Sequence, residues 1–186
     1  MNTPPTNSGR PDIGHPENRM VDHELTRTPG DRRLYAIEGI GTLRLIGFAA
    51  RTAIAESANG SWRIAGHGFW RRVIQATDQV GVLVGEFEPR AVRRGGTLRW
   101  GDRTFTLRPA STWRERYALV DGDHELAIVD GKGWGRRPVR AIVDHAAPVE
   151  PGLLLFATFV VHMLATEAIN TAGAASAATA TIASSS

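Results

Sequence analysis

Pro151-Gly-Leu-Leu-Leu-Phe-Ala-Thr-Phe-Val-Val-His-Met-Leu-Ala-Thr-Glu-Ala-Ile169 is the stretch on which the fold turns. Pro151 suits a first helical turn, Glu150 lies beside the positive end of the helix dipole, and no proline interrupts before Ile169. A helix over about 151–169 follows. At about 100° per residue, Leu153, Leu154, Leu155, Phe156, Phe159, Val160, Val161, Met163 and Leu164 cover the whole circumference, not one stripe. Such a helix must be surrounded, by protein or by lipid.

Length separates the two. From Leu153 to Ala165 the apolar stretch rises about 20 Å, whereas a bilayer core needs about 30 Å and ~20 residues. Extension through Glu167 into the Ala/Ser/Thr tail would reach that length, with a carboxylate in hydrocarbon and no basic residue after Arg140 to set a topology. Strands of six or seven residues make a wall of roughly 20 Å, close to the helix's own height. Burying nine large apolar side chains inside such a wall offers on the order of 15–25 kcal/mol gross. A buried helix is the expectation, and a C-terminal membrane tether over Leu153 to Ile182 is the alternative.

The preceding chain supplies the wall. Short segments of strand character recur at Gly41–Ile46, Ala53–Glu56, Trp62–Ala65, Arg72–Ala76, Val80–Phe87, Thr97–Trp100, Thr104–Arg108, Arg116–Val120, Glu125–Val129 and Val139–Val143. Asn59-Gly60, Gly101-Asp102 and Asp121-Gly122 are pairs that accept the positive φ of tight hairpin loops. So many antiparallel strands curl or close to remove their edges, which predicts a mainly β fold: a closed or strongly curved barrel of about 10–12 strands around the buried C-terminal helix. Residues 1–31 are poor in aliphatic side chains and are expected to be a disordered leader. The barrel domain then covers 32–170, and the Ala/Ser/Thr stretch 171–186 is expected to be a flexible tail.

Composition narrows the function classes. With 186 residues the chain suits a single core. The formal charge of +3 falls short of the footprint of a dedicated nucleic-acid binder, so no nucleic acid is expected as a partner. Absence of cysteine removes disulfides, thiolate catalysis and Cys-ligated zinc. The N-terminal residues show no apolar run after a basic start, so a cytoplasmic protein is expected. No hydrolase elbow, Walker loop, dinucleotide fingerprint or zincin helix is present, and neither enzyme activity nor a cofactor is expected.

Hairpins ending in a short, wholly apolar helix resemble the tubby C-terminal-like fold, which includes the LURP-one-related proteins and the phospholipid scramblases. The residues that carry the resemblance are Pro151 to Ala168 and two strand–turn–strand stretches, Ala76 to Phe87 and Ala118 to Gly131. The resemblance implies a barrel of about twelve strands around a hydrophobic helix, without catalytic machinery. With about ten strands assigned here, it places one or two more in Leu34 to Glu38 or between Trp113 and Arg116. It further implies phosphoinositide binding, as in tubby members, or lipid handling. No residue-by-residue match to the tubby lipid pocket is present, and the scramblases' cysteine-rich stretch is missing.

Four arginine clusters are the sharpest hint of a ligand: Arg71 and Arg72; Arg90, Arg93 and Arg94; Arg114 and Arg116; Arg136, Arg137 and Arg140. Guanidinium forks bind phosphate bidentately, and Trp70, Trp113 and Trp134 nearby suit a membrane interface. The candidate site for an anionic head group is therefore Arg71, Arg72, Arg90, Arg93, Arg94, Arg136, Arg137 and Arg140, with anionic phospholipid as the partner. The plainer reading is a solvated surface. Asp121, Asp123, His124 and Glu125 admit a metal or small-ligand site, with a polar hairpin tip as the plainer reading. Gly131, Lys132, Gly133 and Gly135 form a glycine-rich loop that opens no helix. His162 reads as a buried neutral histidine.

Overall fold

A computed structural model of the chain describes residues 20–47, 51–67, 73–90, 95–111, 116–131, 139–144 and 149–183; along α1, side chains are described as far as Glu167. Twelve strands close into one antiparallel barrel: β1 (Met20–Arg27), β2 (Leu34–Ile37), β3 (Gly41–Ile46), β4 (Thr52–Ser57), β5 (Gly60–His67), β6 (Val73–Thr77), β7 (Leu83–Pro89), β8 (Gly96–Trp100), β9 (Arg103–Pro109), β10 (Arg116–Asp121), β11 (His124–Asp130) and β12 (Val139–Asp144). Each strand pairs with the next along the chain. β1 closes the ring against β12 in the register Met20↔Asp144, Val21↔Val143 and Leu25↔Val139. The helix α1 (Pro151–Ala183) follows the last strand.

Alternation places one face of each strand inside. Leu43 and Leu45, Ala53 and Ala55, Trp62 and Ile64, Leu98 and Trp100, and Phe105 and Leu107 are all buried, two residues apart on their strands. A ring of twelve strands is too wide for its own side chains to fill, since about eight strands already reach that limit. The helix fills the lumen. Leu153 through Val161 are at most 2% exposed, on every side of α1. Small inward residues such as Ala53, Ala55, Ala76 and Ala127 make room for it. Thr158, the buried polar side chain among them, donates its hydroxyl to the Leu154 carbonyl at 2.7 Å and so costs little.

Two expectations need correction. Met20–Arg27, assigned by composition to the leader, is β1. Among its described side chains only Leu25 is buried, with Val21 and His23 half-buried on the same face. Its order comes from backbone pairing on both sides, with β2 and β12, which hydropathy does not register. The second correction concerns the far end, where the backbone stays helical to Ala183 instead of ending near Ile169. Alanine is the strongest helix former, and prolonging an existing helix needs no new nucleus. Leu34–Ile37 is β2, one of the two places where the resemblance puts a further strand. The strand expected from Val80 begins at Leu83, because Val80 to Val82 form the hairpin tip.

Candidate functional site

In an up-and-down barrel, every connection after an odd-numbered strand leaves from one rim and every connection after an even-numbered strand from the other. α1 begins at the second rim. There Glu150 accepts a hydrogen bond from Trp100 Nε1 at 2.9 Å, and Leu154 N donates to the Glu150 carbonyl at 3.0 Å. At 1.5 Å per residue, its 33 residues run about 50 Å, roughly twice the height of the wall. It therefore passes through the barrel and out at the first rim.

The two rims carry opposite charge. Connections after odd-numbered strands hold twelve of the 22 lysines and arginines, against only Asp31 and Glu115. Connections after even-numbered strands hold Glu38, Asp78, Asp102, Asp123 and Glu150, with no lysine or arginine. Within the connections, described side chains alone give the same polarity: Arg32, Arg33, Arg51 and Arg90 are exposed at the first rim, and Glu38, Asp102, Asp123 and Glu150 at the second. Asp31, the one acid described among the first rim's connections, is compensated. Its carboxylate accepts from the Arg33 backbone at 2.9 Å and pairs with Arg44 at 2.6 Å; the backbone bond first, then the guanidinium, hold its pKa below the usual range.

Of the sequence-derived arginines, Arg90 is exposed, and its backbone N donates to the Gly95 carbonyl at 3.0 Å, closing the neck of the β7–β8 connection. Arg140 lies on β12 in register with Glu24; its side chain is outside the described set. Arg71, Arg72, Arg93, Arg94, Arg136 and Arg137 lie outside the described residues, as do Arg114 and the tryptophans 70, 113 and 134. The strand ends that bracket them, His67 and Val73, Pro89 and Gly96, Pro109 and Arg116, and Asp130 and Val139, all belong to the first rim. Arg116 is committed within the wall, where its Nε meets Asp130 at 3.3 Å. Arg32, Arg33 and Arg51 were not singled out from sequence. Counting charge in alternate turns would have found them.

At the acidic hairpin, read from sequence as a polar tip with a metal or small-ligand site as the alternative, two carboxylates face arginines. Asp121 pairs with Arg103, and Glu125 lies 3.8 Å from Arg108. Among the described residues, no group of three His or acidic side chains could hold a metal ion. Of the glycine-rich loop only Gly131 is described; Lys132, Gly133 and Gly135 lie outside the described residues. Leu153 to Val161 face the barrel wall, and among the described residues no helix is long and apolar enough to cross a membrane. No family model, no curated protein and no solved structure matches the chain.

Proposed function

We propose that the protein is a non-enzymatic, cytoplasmic binding module that docks on anionic membrane surfaces through its arginine-bearing rim. One observation carries the reading: lysines and arginines are gathered into the connections of one rim while the other rim's connections hold carboxylates and neither lysine nor arginine. A neutral-looking total of +3 hides this division. At the surface of an anionic leaflet each nearby lysine or arginine contributes about 1 kcal/mol. Trp70, Trp113 and Trp134 fall in the same connections, and tryptophan is the residue that favours the head-group level of a bilayer. A helix enclosed by twelve strands supports kinship with the tubby C-terminal-like proteins, and the rim polarity would give that frame its lipid-facing end.

Vesicle co-sedimentation tests the reading. At low salt the full chain should pellet with vesicles of phosphatidylserine and phosphatidylcholine far more than with phosphatidylcholine alone. Binding should weaken as salt shortens the Debye length from about 30 Å at 0.01 M to about 8 Å at 0.15 M. Equal partition between the two vesicle types at low salt would remove the proposal.

A further inference from the structure

The acidic rim holds a cavity of about 270 Å³ where the β8–β9 turn, the start of β7 and the first turn of α1 meet. Its inner wall is aromatic, built from Trp62, Trp100 and Phe105, and its mouth carries Asp102, Arg103 and Glu150. Pockets that enclose drug-sized ligands start near 300 Å³, so this one suits a ligand of a few heavy atoms.

The wall is rigid by construction. Trp62 and Trp100 meet edge to face, with centroids 5.5 Å apart and planes at 64°. A Cβ on Gly152 would fall 2.6 Å from Trp100 Cζ2 and 2.7 Å from Trp62 Cη2, and one on Gly85 would fall 2.6 Å from Trp100 Cε3. Only glycine fits at either place. The indoles are thereby clamped between backbone segments, and Glu150 fixes Trp100 further through its Nε1.

Charge at the mouth is unbalanced. Arg103 lies 5.0 Å over the Phe105 ring and is paired with Asp121, so its charge is already matched. Asp102 is exposed and has no ion pair among the described residues, and Glu150 meets only the neutral indole. The α1 N-terminus contributes a positive pole worth roughly half a charge, which leaves the two carboxylates in excess. Apolar rings with uncompensated carboxylates disfavour anions. They also offer a hard metal ion too few oxygen ligands to replace its water. An organic cation satisfies both surfaces at once, with its alkyl groups on the rings and its charge shared between ring quadrupoles and carboxylates.

We infer that this cavity binds an alkylated ammonium ion. The site lies at the opposite end of the barrel from the basic rim, so vesicle binding and ammonium binding can fail independently. The test titrates the full chain with choline and with its uncharged isostere 3,3-dimethylbutanol, following tryptophan fluorescence and heat against sodium chloride at equal ionic strength. Choline should saturate with a Kd on the order of millimolar, and the isostere should bind about tenfold more weakly or worse. Asp102→Asn with Glu150→Gln should weaken choline about tenfold while the circular dichroism spectrum stays the same, because glutamine still accepts the Trp100 hydrogen bond. Absence of saturation by choline, equal binding of the isostere, or unchanged affinity in the double variant would each overturn the inference.

Discussion

The fold holds a proton off the His162 imidazole. It lies on the enclosed part of α1, against Phe159 at 6.3 Å between ring centroids, and burial lowers its pKa from 6.5 to about 4. Because the folded value is depressed, the unfolded chain takes up the proton first as pH falls. The contribution to stability is complete above pH 6.5 and is lost towards pH 4, in all about 3 kcal/mol. Urea unfolding at pH 7 and pH 4.5 should show this loss in the native chain, and His162→Gln should flatten the difference between the two pH values by about 2 kcal/mol. An identical pH dependence in the variant would mean the imidazole is solvated. That this histidine would be neutral was legible from its place in an apolar run, although the fold leaves it half-buried. Pairing of the clamped tryptophans with Gly85 and Gly152 was not, since those residues are far apart in sequence and meet only when β5, β7, β8 and α1 assemble.

Elements differ in how plainly the sequence declares them. The helix was legible because its apolar residues cover every face for about three turns, which only complete enclosure can justify. Ten strands were legible from alternation and from glycine at turns such as Asn59-Gly60, where Gly60 adopts φ +151°. β1 was hidden because Asp22, Glu24 and Thr26 point outward and, of its described side chains, Leu25 alone is buried. Its role is nonetheless architectural, as it alone joins β2 to β12. Deleting residues 1–27 should therefore leave β2 and β12 as two unpaired edges, which recruit strands from other chains. Size-exclusion chromatography with light scattering should find oligomers or aggregates in place of the full chain's species. A deletion variant that matches the full chain in size and melting temperature would show that closure is dispensable.

Across the whole molecule, the polarity of the two rims separates a site from a mere excess of charge. Arg32→Gln with Arg90→Gln lowers the net charge by two, and Glu38→Gln with Asp123→Asn raises it by two. If net charge governed membrane association, the two pairs would have equal and opposite effects. Rim polarity instead predicts that losing the arginine pair weakens binding to phosphatidylserine vesicles about tenfold or more, while the carboxylate pair changes it little. Mirror-image responses in the same co-sedimentation assay would discard the rim as the binding face. By itself, the sequence determined that the chain is mainly β, that its strands pair as successive hairpins, and that the apolar run near its end is a helix needing walls on all sides. Those are consequences of local periodicity and of one segment's hydropathy, which no partner is needed to read. Tertiary structure alone decided that polar β1 completes the ring, that arginines as far apart as Arg32 and Arg90 belong to connections of one rim, and that three aromatic side chains and two carboxylates share a cavity. Closure explains all three: once twelve strands return to their start, the parity of each connection fixes its end of the barrel, a property of the ring and of no single segment.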